Sequence, residues 1–317
     1  MKKNSRRVIA GLAASMAVVI AGCGSSGPDT TEETGFLSLG ISDGPVHSAL
    51  NVCIEFDSIE LKQSGESGTT LIDLDPVEKI DLLQFQGANA MPVVLNQELP
   101  AGQYEWMRLG VNAVRGANGG AGHTGEPDNT VCDGDASYIV WNDGTSANLY
   151  VPSGENNGLK LVSGYTVPVN DTVSLTAEFD LGKSITDPPG QGPDVLLRPT
   201  IKLVNNNEVG TLTGQVANTF AGAENCAPSV FVFEDGFTPN PINDSDDDPV
   251  ATALVEAQDQ LDESVQWHYT VGFLLAGEYE VAFTCDDGEN FEPVDGYPAT
   301  IVEGEIETVD FPAPQPQ

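Results

Sequence analysis

The sequence predicts an all-β chain, and three observations carry this prediction. Apolar and polar residues alternate with period two in short runs along most of the chain. Clusters of Gly, Pro, Asn and Asp separate these runs at short intervals, a pattern typical of β-sandwiches. Apart from one ambiguous segment, a helical pattern is found only at Ile80–Phe85. We therefore predict two β-sandwich domains, after a signal peptide and a flexible linker.

Ten runs are predicted to be strands, and one further segment is ambiguous. Val250–Val265 fits a helix capped by Asp248, but its first residues also fit a strand, which we favour. The ten predicted strands are Phe36–Ile41, Val52–Leu61, Tyr104–Val111, Ser137–Trp141, Val173–Phe179, Val195–Val204, Ser229–Phe233, Trp267–Leu275, Tyr279–Thr284 and Ala299–Val302.

The first 22 residues are typical of a signal peptide. A basic stretch ends at Arg7, and the uncharged apolar run that follows is shorter than the roughly 20 residues of a membrane-spanning helix. The next residues, IAGC at 20–23, resemble the lipobox of bacterial lipoproteins, in which the cysteine carries the lipid. We expect a lipid on Cys23 to hold the chain in a bilayer. No Asp follows Cys23, which favours the outer membrane, on its periplasmic or surface face.

Composition divides the rest of the chain. Residues 24–35 consist of Gly, Ser, Pro, Asp, Thr and Glu, and residues 205–208 (NNNE) form a second polar break. All eight Lys and Arg of the mature chain lie between Lys62 and Lys202, whereas residues 209–317 contain 22 acidic residues and no Lys or Arg. The predicted segments are a signal peptide (1–22), a lipidated Cys and linker (23–35), a first domain (36–204), a linker (205–208), a second domain (209–312) and a Pro/Gln tail (313–317).

The mature chain is strongly acidic. Cleavage after residue 22 leaves eight basic and 48 acidic residues, a net charge of −40. A field of this sign repels phosphate backbones and anionic headgroups, so nucleic acid is excluded as a partner. Adaptation to a salty environment explains the composition more simply than a charge-specific binding role.

Four cysteines remain after lipidation, and four allow three pairings. Exported chains fold in an oxidising compartment, where disulfides form. The domain division places one pair in each domain. We therefore predict the disulfides Cys53–Cys132 and Cys226–Cys285. No cysteine or histidine spacing indicates zinc, and no cofactor is predicted.

One phrase occurs twice, as LPAGQYE at 99–105 and LAGEYE at 275–280. In each copy the Gly is predicted to supply the positive φ of a tight turn, and the Tyr that follows to begin a strand. The repeat suggests two related domains.

The first domain contains six motifs in a fixed order: LSLGISDGP (37–45), IDLLQFQG (80–87), LPAGQY (99–104), GLKL (158–161), FDLGKS (179–184) and LRPT (197–200). By these motifs it resembles an uncharacterised family of bacterial lipoprotein domains, the domain of unknown function DUF4382. The resemblance covers nearly all of residues 36–204 and implies no established activity.

The second domain contains the motifs GTLTGQV (210–216), the LAGEY turn, and VEGEIETVDF (302–311). By these motifs it resembles transthyretin-like sandwiches of the carboxypeptidase-regulatory type. The resemblance implies a Greek-key sandwich of transthyretin-like or immunoglobulin-like topology, and an accessory or binding module of extracellular proteins.

Two groups of charged residues are candidate sites. Asp244, Asp246 and Asp248 have a spacing that can direct several oxygens at Ca²⁺, although Pro249 stands where a calcium loop needs Gly; a solvated acidic loop is the alternative. The charged members of the family-like motifs, Asp43, Asp180, Lys183 and Arg198, are either structural ion pairs or a cluster that contacts a ligand.

No catalytic motif is recognised. We consider three functions, in order of preference. The first is a non-enzymatic envelope lipoprotein that binds or scaffolds an envelope protein or glycan. The second is a calcium-dependent adhesion or carbohydrate-binding module. Three tryptophans (Trp106, Trp141 and Trp267) are either a sugar platform or core residues. The third is a cell-surface hydrolase, which requires a deep pocket with a His or a pair of carboxylates.

Overall fold

A computed structural model describes residues 33–44, 48–113, 132, 136–151, 158–186, 194–198, 200–240, 248–259, 265–286 and 288–312. The predicted signal peptide, Cys23 and the tail 313–317 lie outside these residues. Strands dominate the described chain, and they form four sheets. The prediction of an all-β fold is confirmed.

The first half of the chain contributes two sheets. In the first sheet the order is β13, β10, β1, β4, with β1 and β10 parallel. In the second sheet the order is β11, β12, β7, β6, β2, β5, β8, while β3 pairs with β2 and β9 with β5. The strands are β1 (Thr34–Gly44), β2 (Ala49–Gln63), β3 (Thr70–Asp81), β4 (Met91–Pro100), β5 (Gly102–Val111), β6 (Tyr138–Trp141), β7 (Ser146–Tyr150), β8 (Leu159–Leu161), β9 (Tyr165–Val167), β10 (Thr172–Asp180), β11 (Ile185–Thr186), β12 (Val195–Leu197) and β13 (Ile201–Asn205).

The second half contributes two four-stranded sheets. Their orders are β17, β18, β14, β21 and β16, β15, β19, β20. The strands are β14 (Val209–Val216), β15 (Ser229–Glu234), β16 (Ala251–Leu254), β17 (Glu256–Asp259), β18 (Val265–Leu275), β19 (Gly277–Thr284), β20 (Glu292–Ile301) and β21 (Ile306–Thr308). The strand interpretation of the ambiguous segment after Val250 is correct where it is described.

Each pair of sheets encloses its own apolar core, as sandwich packing requires. The first core joins Leu37 and Leu39 of β1 to Ile54 and Ile59 of β2, on the facing sheet. The second joins side chains of β14 and β18 to those of β15 and β19. The prediction of two β-sandwiches is confirmed. The division of the chain into two domains at 205–208 stays a prediction.

The residues predicted to form the linker are hydrogen-bonded to the first half. The Asn206 amide nitrogen donates to Ser174 Oγ at 3.0 Å, and its amide oxygen accepts from Thr176 Oγ1 at 2.8 Å. Asn206 thereby fixes the chain to β10 between the last strand of one half and the first strand of the other. At the other predicted linker, β1 already begins at Thr34.

The helices differ from the prediction. The expected helix Ile80–Phe85 is a 3₁₀ helix of three residues, Leu82–Gln84, because β3 continues to Asp81. Two unpredicted single-turn helices are present, α1 (Leu181–Ser184) and α2 (Asn218–Ala221). The signal for α1 was available, since Asp180 caps it by accepting a hydrogen bond from the Lys183 amide at 3.1 Å. The described helices are too short to cross a membrane.

The repeated phrase has a common structural role. In both copies the Gly begins a strand, and the Tyr hydroxyl donates to the carbonyl oxygen four residues earlier, from Tyr104 to Pro100 at 3.0 Å and from Tyr279 to Leu275 at 2.8 Å. Such a bond fastens the strand to the turn before it, as in tyrosine corners. The positive φ was predicted for both glycines and is present only at Gly102.

Both predicted disulfides are present, Cys53–Cys132 and Cys226–Cys285. The first fixes a residue beyond β5 to β2, and the second joins Cys226, between α2 and β15, to Cys285, the residue that follows β19. Each disulfide therefore lies within one half of the chain.

Candidate functional site

The candidate charge cluster lies where two parallel strands end. Asp43 is the penultimate residue of β1, and Asp180 is the last residue of β10, paired with Gly44. Lys183 Nζ lies 3.6 Å from Asp180 Oδ2 and donates to the carbonyl oxygen of Pro249 at 2.9 Å. Arg198 has an exposed side chain, and its backbone amide donates to Ser184. Three of the four predicted residues are thus neighbours, and the contact shown for Arg198 is made by its backbone.

Asp43 is a buried carboxyl group. Its side chain continues the core-facing row of Leu37, Leu39 and Ile41, and the residue is 2% exposed. Among the described residues, neither carboxylate oxygen has a hydrogen bond of normal geometry. Burial raises the pKa of Asp43 well above its usual value, the Leu181 amide opposes this, and the charges of Asp180, Glu178 and Asp81 add to it. Asp43 therefore tends to stay protonated, which avoids an unpaired buried charge.

Replacement of Asp43 is expected to remove a pH dependence of stability. A folded pKa above the unfolded value of about 4 means that the native state holds its proton longer, so wild-type stability falls as pH rises between the two values. Asp43→Asn cannot ionise, and its free energy of unfolding should therefore increase relative to wild type from pH 4 upward. Denaturation at several pH values measures this. Exposed Asp73→Asn is the control, and parallel curves for wild type and Asp43→Asn would contradict the expectation.

Two lysines of the first half hold the backbone of the second half. Lys183 reaches the Pro249 carbonyl oxygen, and Lys202 Nζ donates to the Val250 carbonyl oxygen. Glu178 lies opposite Lys202 across β10 and β13. Burial raises the pKa of Glu178 to about 7, an effect that the charge of Lys202 reduces and that of Asp180 increases. The contact between the halves thus includes a carboxyl group that titrates near neutral pH.

A groove of about 650 Å³ opens beside this contact. We call it the junction groove. One wall is the segment 83–89 of the first half, and the other is formed by parts of β16, β17 and β18. Most of its lining side chains are polar: Gln84, Gln86, Asn89, Glu256, Gln258, His268, Tyr269 and Thr270.

Two side chains, Asp81 and Ser42, hold the first wall in place. Asp81 caps the 3₁₀ helix and also accepts hydrogen bonds from Asn51 Nδ2 at 2.8 Å and from the Val52 amide at 3.0 Å. The buried Ser42 hydroxyl lies within hydrogen-bonding distance of the carbonyl oxygens of Phe85 (3.1 Å) and Asn89 (2.8 Å). The segment 83–89 is therefore tied at both of its ends.

The two walls meet by a close backbone approach. A Cβ atom at Gly272 would lie 2.6 Å from Ala88 Cα and from the Gly87 carbonyl oxygen. Gly87 has φ +66, and a Cβ there would lie 3.0 Å from the Thr270 carbonyl oxygen. Only glycine permits this contact without movement of the backbone. The glycines therefore set the spacing between the walls.

Chemically, the junction groove is polar and open. Glu256 pairs with His268 across β17 and β18, and His268 Nε2 lies 3.3 Å from Gln266 Oε1. The sequence did not predict this site. Its residues are ordinary polar surface residues, and those of one wall lie far along the chain from those of the other. His268 was noted only as a single histidine.

The tryptophans do not line the junction groove. Trp106 is covered by Arg108 and Lys160, whose charged groups lie 5.0 and 4.3 Å from the ring centroid. Trp141 packs against the first core, and Trp267 packs against the second core while its Nε1 donates to Asn218 Oδ1 at 2.9 Å. None of the three therefore forms part of a platform in this groove.

Of the candidate calcium loop, Asp244 and Asp246 lie outside the described residues, and Asp248 is described. The calcium site stays a prediction. In the acidic turn after β19, Asp286 accepts hydrogen bonds from Asn290 and Thr284, which hold the pKa of its carboxyl below the usual range. Within the described ranges, His, Cys, Asp and Glu form no group of three or more that could hold a metal ion.

Comparisons with solved structures return, among others, pilins and a protein named TIE. The minor pilin GBS52 of Streptococcus agalactiae is 11% identical, with 88% of this chain and 98% of that chain covered and a TM-score of 0.19. The shaft pilin SpaA of Lactobacillus rhamnosus GG (D295N) is 10% identical, with 89% and 100% covered and a TM-score of 0.19. The TIE protein of Bacillus anthracis is 10% identical with a TM-score of 0.18, over 88% of this chain.

At these TM-scores the overlaps carry no argument about this chain. The chain spans about a third (33%) of the length of the TIE protein. No curated protein matches the chain. A family model described as Domain of unknown function (DUF4382) matches residues 34–199, more than half of the 317 residues. The chain therefore belongs to the DUF4382 family.

Proposed function

We propose that this protein is a non-enzymatic lipoprotein of the cell envelope, anchored to the outer membrane through Cys23, which binds or scaffolds an envelope protein or glycan. The observation that supports a binding role most is the junction groove, whose walls are in close contact at Gly272 and whose first wall is hydrogen-bonded to Ser42 and Asp81. Ligand sites are typically concave, preformed and located where two structural units meet.

An enzymatic role has less support. Glu256 and His268 lie opposite each other in the register of β17 and β18, and a hydrolase could use such a carboxylate and imidazole. However, Glu256 is exposed, and the groove is open to solvent. Catalytic electrostatics are strongest where water is excluded. We therefore propose that these side chains contact a ligand and do not act as acid and base.

The anchor is tested by Cys23→Ser. Without the thiol no lipid can be attached, and the protein loses the membrane affinity that the acyl chains provide. We expect the wild type to incorporate an alkyne palmitate analogue and to sediment with outer membranes, and the variant to lose both properties. A variant that kept its label would show that the lipid is elsewhere. Protease shaving of intact cells then distinguishes the surface face from the periplasmic face.

The binding role is tested by photo-crosslinking in intact cells. A photo-reactive residue at Gln258, within the junction groove, should give a specific adduct, and the same residue at the exposed Gln103 of β5 is the control. Equal adduct patterns at both positions would contradict a role for the groove.

A further inference from the structure

We propose that the junction groove binds a neutral oligosaccharide. This inference rests on the proposed binding role and adds the chemical class of the ligand. It follows from the side chains that line the groove, from the charge of the surrounding surface, and from the way in which the walls are fixed.

The lining side chains match hydroxyl groups. Four of them are amides, Gln84, Gln86, Asn89 and Gln258, and each amide can both donate and accept hydrogen bonds. Sugar hydroxyls have the same dual character. Glu256 adds an acceptor, while His268 and Thr270 add groups that can serve in either role. The hydroxyl groups of a sugar can therefore form hydrogen bonds with side chains on both walls of the groove.

Charge excludes the anionic alternatives. Among the described residues that line the junction groove, none is Lys or Arg, so phosphate and carboxylate groups find no opposite charge there. The second half of the chain has 22 acidic residues and no basic residue, and the resulting field repels anions. Acidic glycans and phosphorylated ligands are disfavoured for the same reason. The same field attracts basic ligands, and it is the amide-rich lining that favours a neutral sugar over a basic peptide.

Size and rigidity also fit. The volume of about 650 Å³ lies within the range of roughly 300 to 1,000 Å³ for ligand sites. The walls are already in close contact where Gly272 meets Ala88, so they cannot come closer together at that point. A preformed site loses little conformational entropy on binding, which compensates for the modest gain from each solvent-exposed hydrogen bond.

The test is calorimetric titration of the full mature protein with three neutral trisaccharides: maltotriose, cellotriose and triacetylchitotriose. Trigalacturonic acid is the anionic counterpart, and trilysine represents a basic peptide. We expect at least one neutral trisaccharide to bind and the anionic trisaccharide to fail. Gln258→Ala and His268→Ala should each weaken binding about tenfold, because each removes a polar contact of the ligand. Gln103→Ala, which changes the same side chain outside the groove, should bind as the wild type does.

Several outcomes would overturn the inference. Binding of trilysine alone would assign the groove to a basic peptide, and equal affinities for wild type and Gln258→Ala would place a saccharide elsewhere. If no trisaccharide binds while the photo-reactive residue at 258 captures a specific protein, the saccharide inference is wrong and the proposed binding role stands. If neither experiment gives a signal, both are wrong.

Discussion

A chain in which Cys53 and Cys132 are both replaced by alanine is expected to unfold with a free energy about 4 kcal/mol below that of the wild type. The two cysteines are 79 residues apart, so the disulfide removes much conformational freedom from the unfolded chain. Ordinary domains are stable by only 5 to 15 kcal/mol. Urea denaturation of the oxidised proteins, followed by tryptophan fluorescence, measures the difference.

The matched control is the second disulfide. Cys226 and Cys285 are 59 residues apart, and their joint replacement should have an effect of similar size, since the cost of closing a loop varies slowly with its length. A midpoint unchanged from the wild type in either double variant would contradict the expectation. A steeper transition would indicate that the unfolded chain has become less compact without the cross-link.

Replacement of Asp81 by alanine is expected to cost roughly 3 kcal/mol or more. The buried carboxylate accepts hydrogen bonds from Asn51 Nδ2 and from the amides of Val52 and Leu83, and a buried donor left without its acceptor costs about 1 to 3 kcal/mol. The variant should also loosen the 3₁₀ helix Leu82–Gln84, which leads into one wall of the junction groove. Denaturation measures the first effect, and amide hydrogen exchange of residues 83–89 measures the second.

Two further variants separate these effects. Asp81→Asn keeps one acceptor oxygen but turns an amide toward Asn51, so about half of the loss is expected. Asp73→Asn, at an exposed position of the same strand, should change neither stability nor exchange. Fast exchange in Asp81→Ala without loss of stability would mean that Asp81 only caps the helix.

The strands were predictable because burial imposes a period of two. In β1 the buried residues Leu37, Leu39 and Ile41 alternate with less buried ones, and the same pattern identified most long strands. The predicted strand Val195–Val204 is in fact two strands in different sheets. It breaks at 198–200, where the sequence has a Pro that cannot donate a backbone hydrogen bond. Short strands such as β8 and β9 are too brief for any periodicity to emerge.

The candidate site was predictable only in part. Asp180 and Lys183 share one motif, so their proximity is a local property. Asp43 was treated as one of a set of paired or ligand-contacting charges, although its position in the row of Leu37, Leu39 and Ile41 indicated a buried side chain. The junction groove could not be anticipated. Its walls come from segments about 170 residues apart. A surface Gln or His carries no sequence pattern that predicts which other segment will lie opposite it.

The two lysine contacts between the halves have a consequence for how such proteins can vary. Lys183 and Lys202 donate to carbonyl oxygens of Pro249 and Val250, and a carbonyl oxygen is present whatever side chain follows it. These two bonds therefore require a backbone that passes at the right place, and they do not depend on which side chains follow it. The sequence can vary at these two positions while the bonds are kept, whereas the contact with Ala88 allows only glycine at position 272.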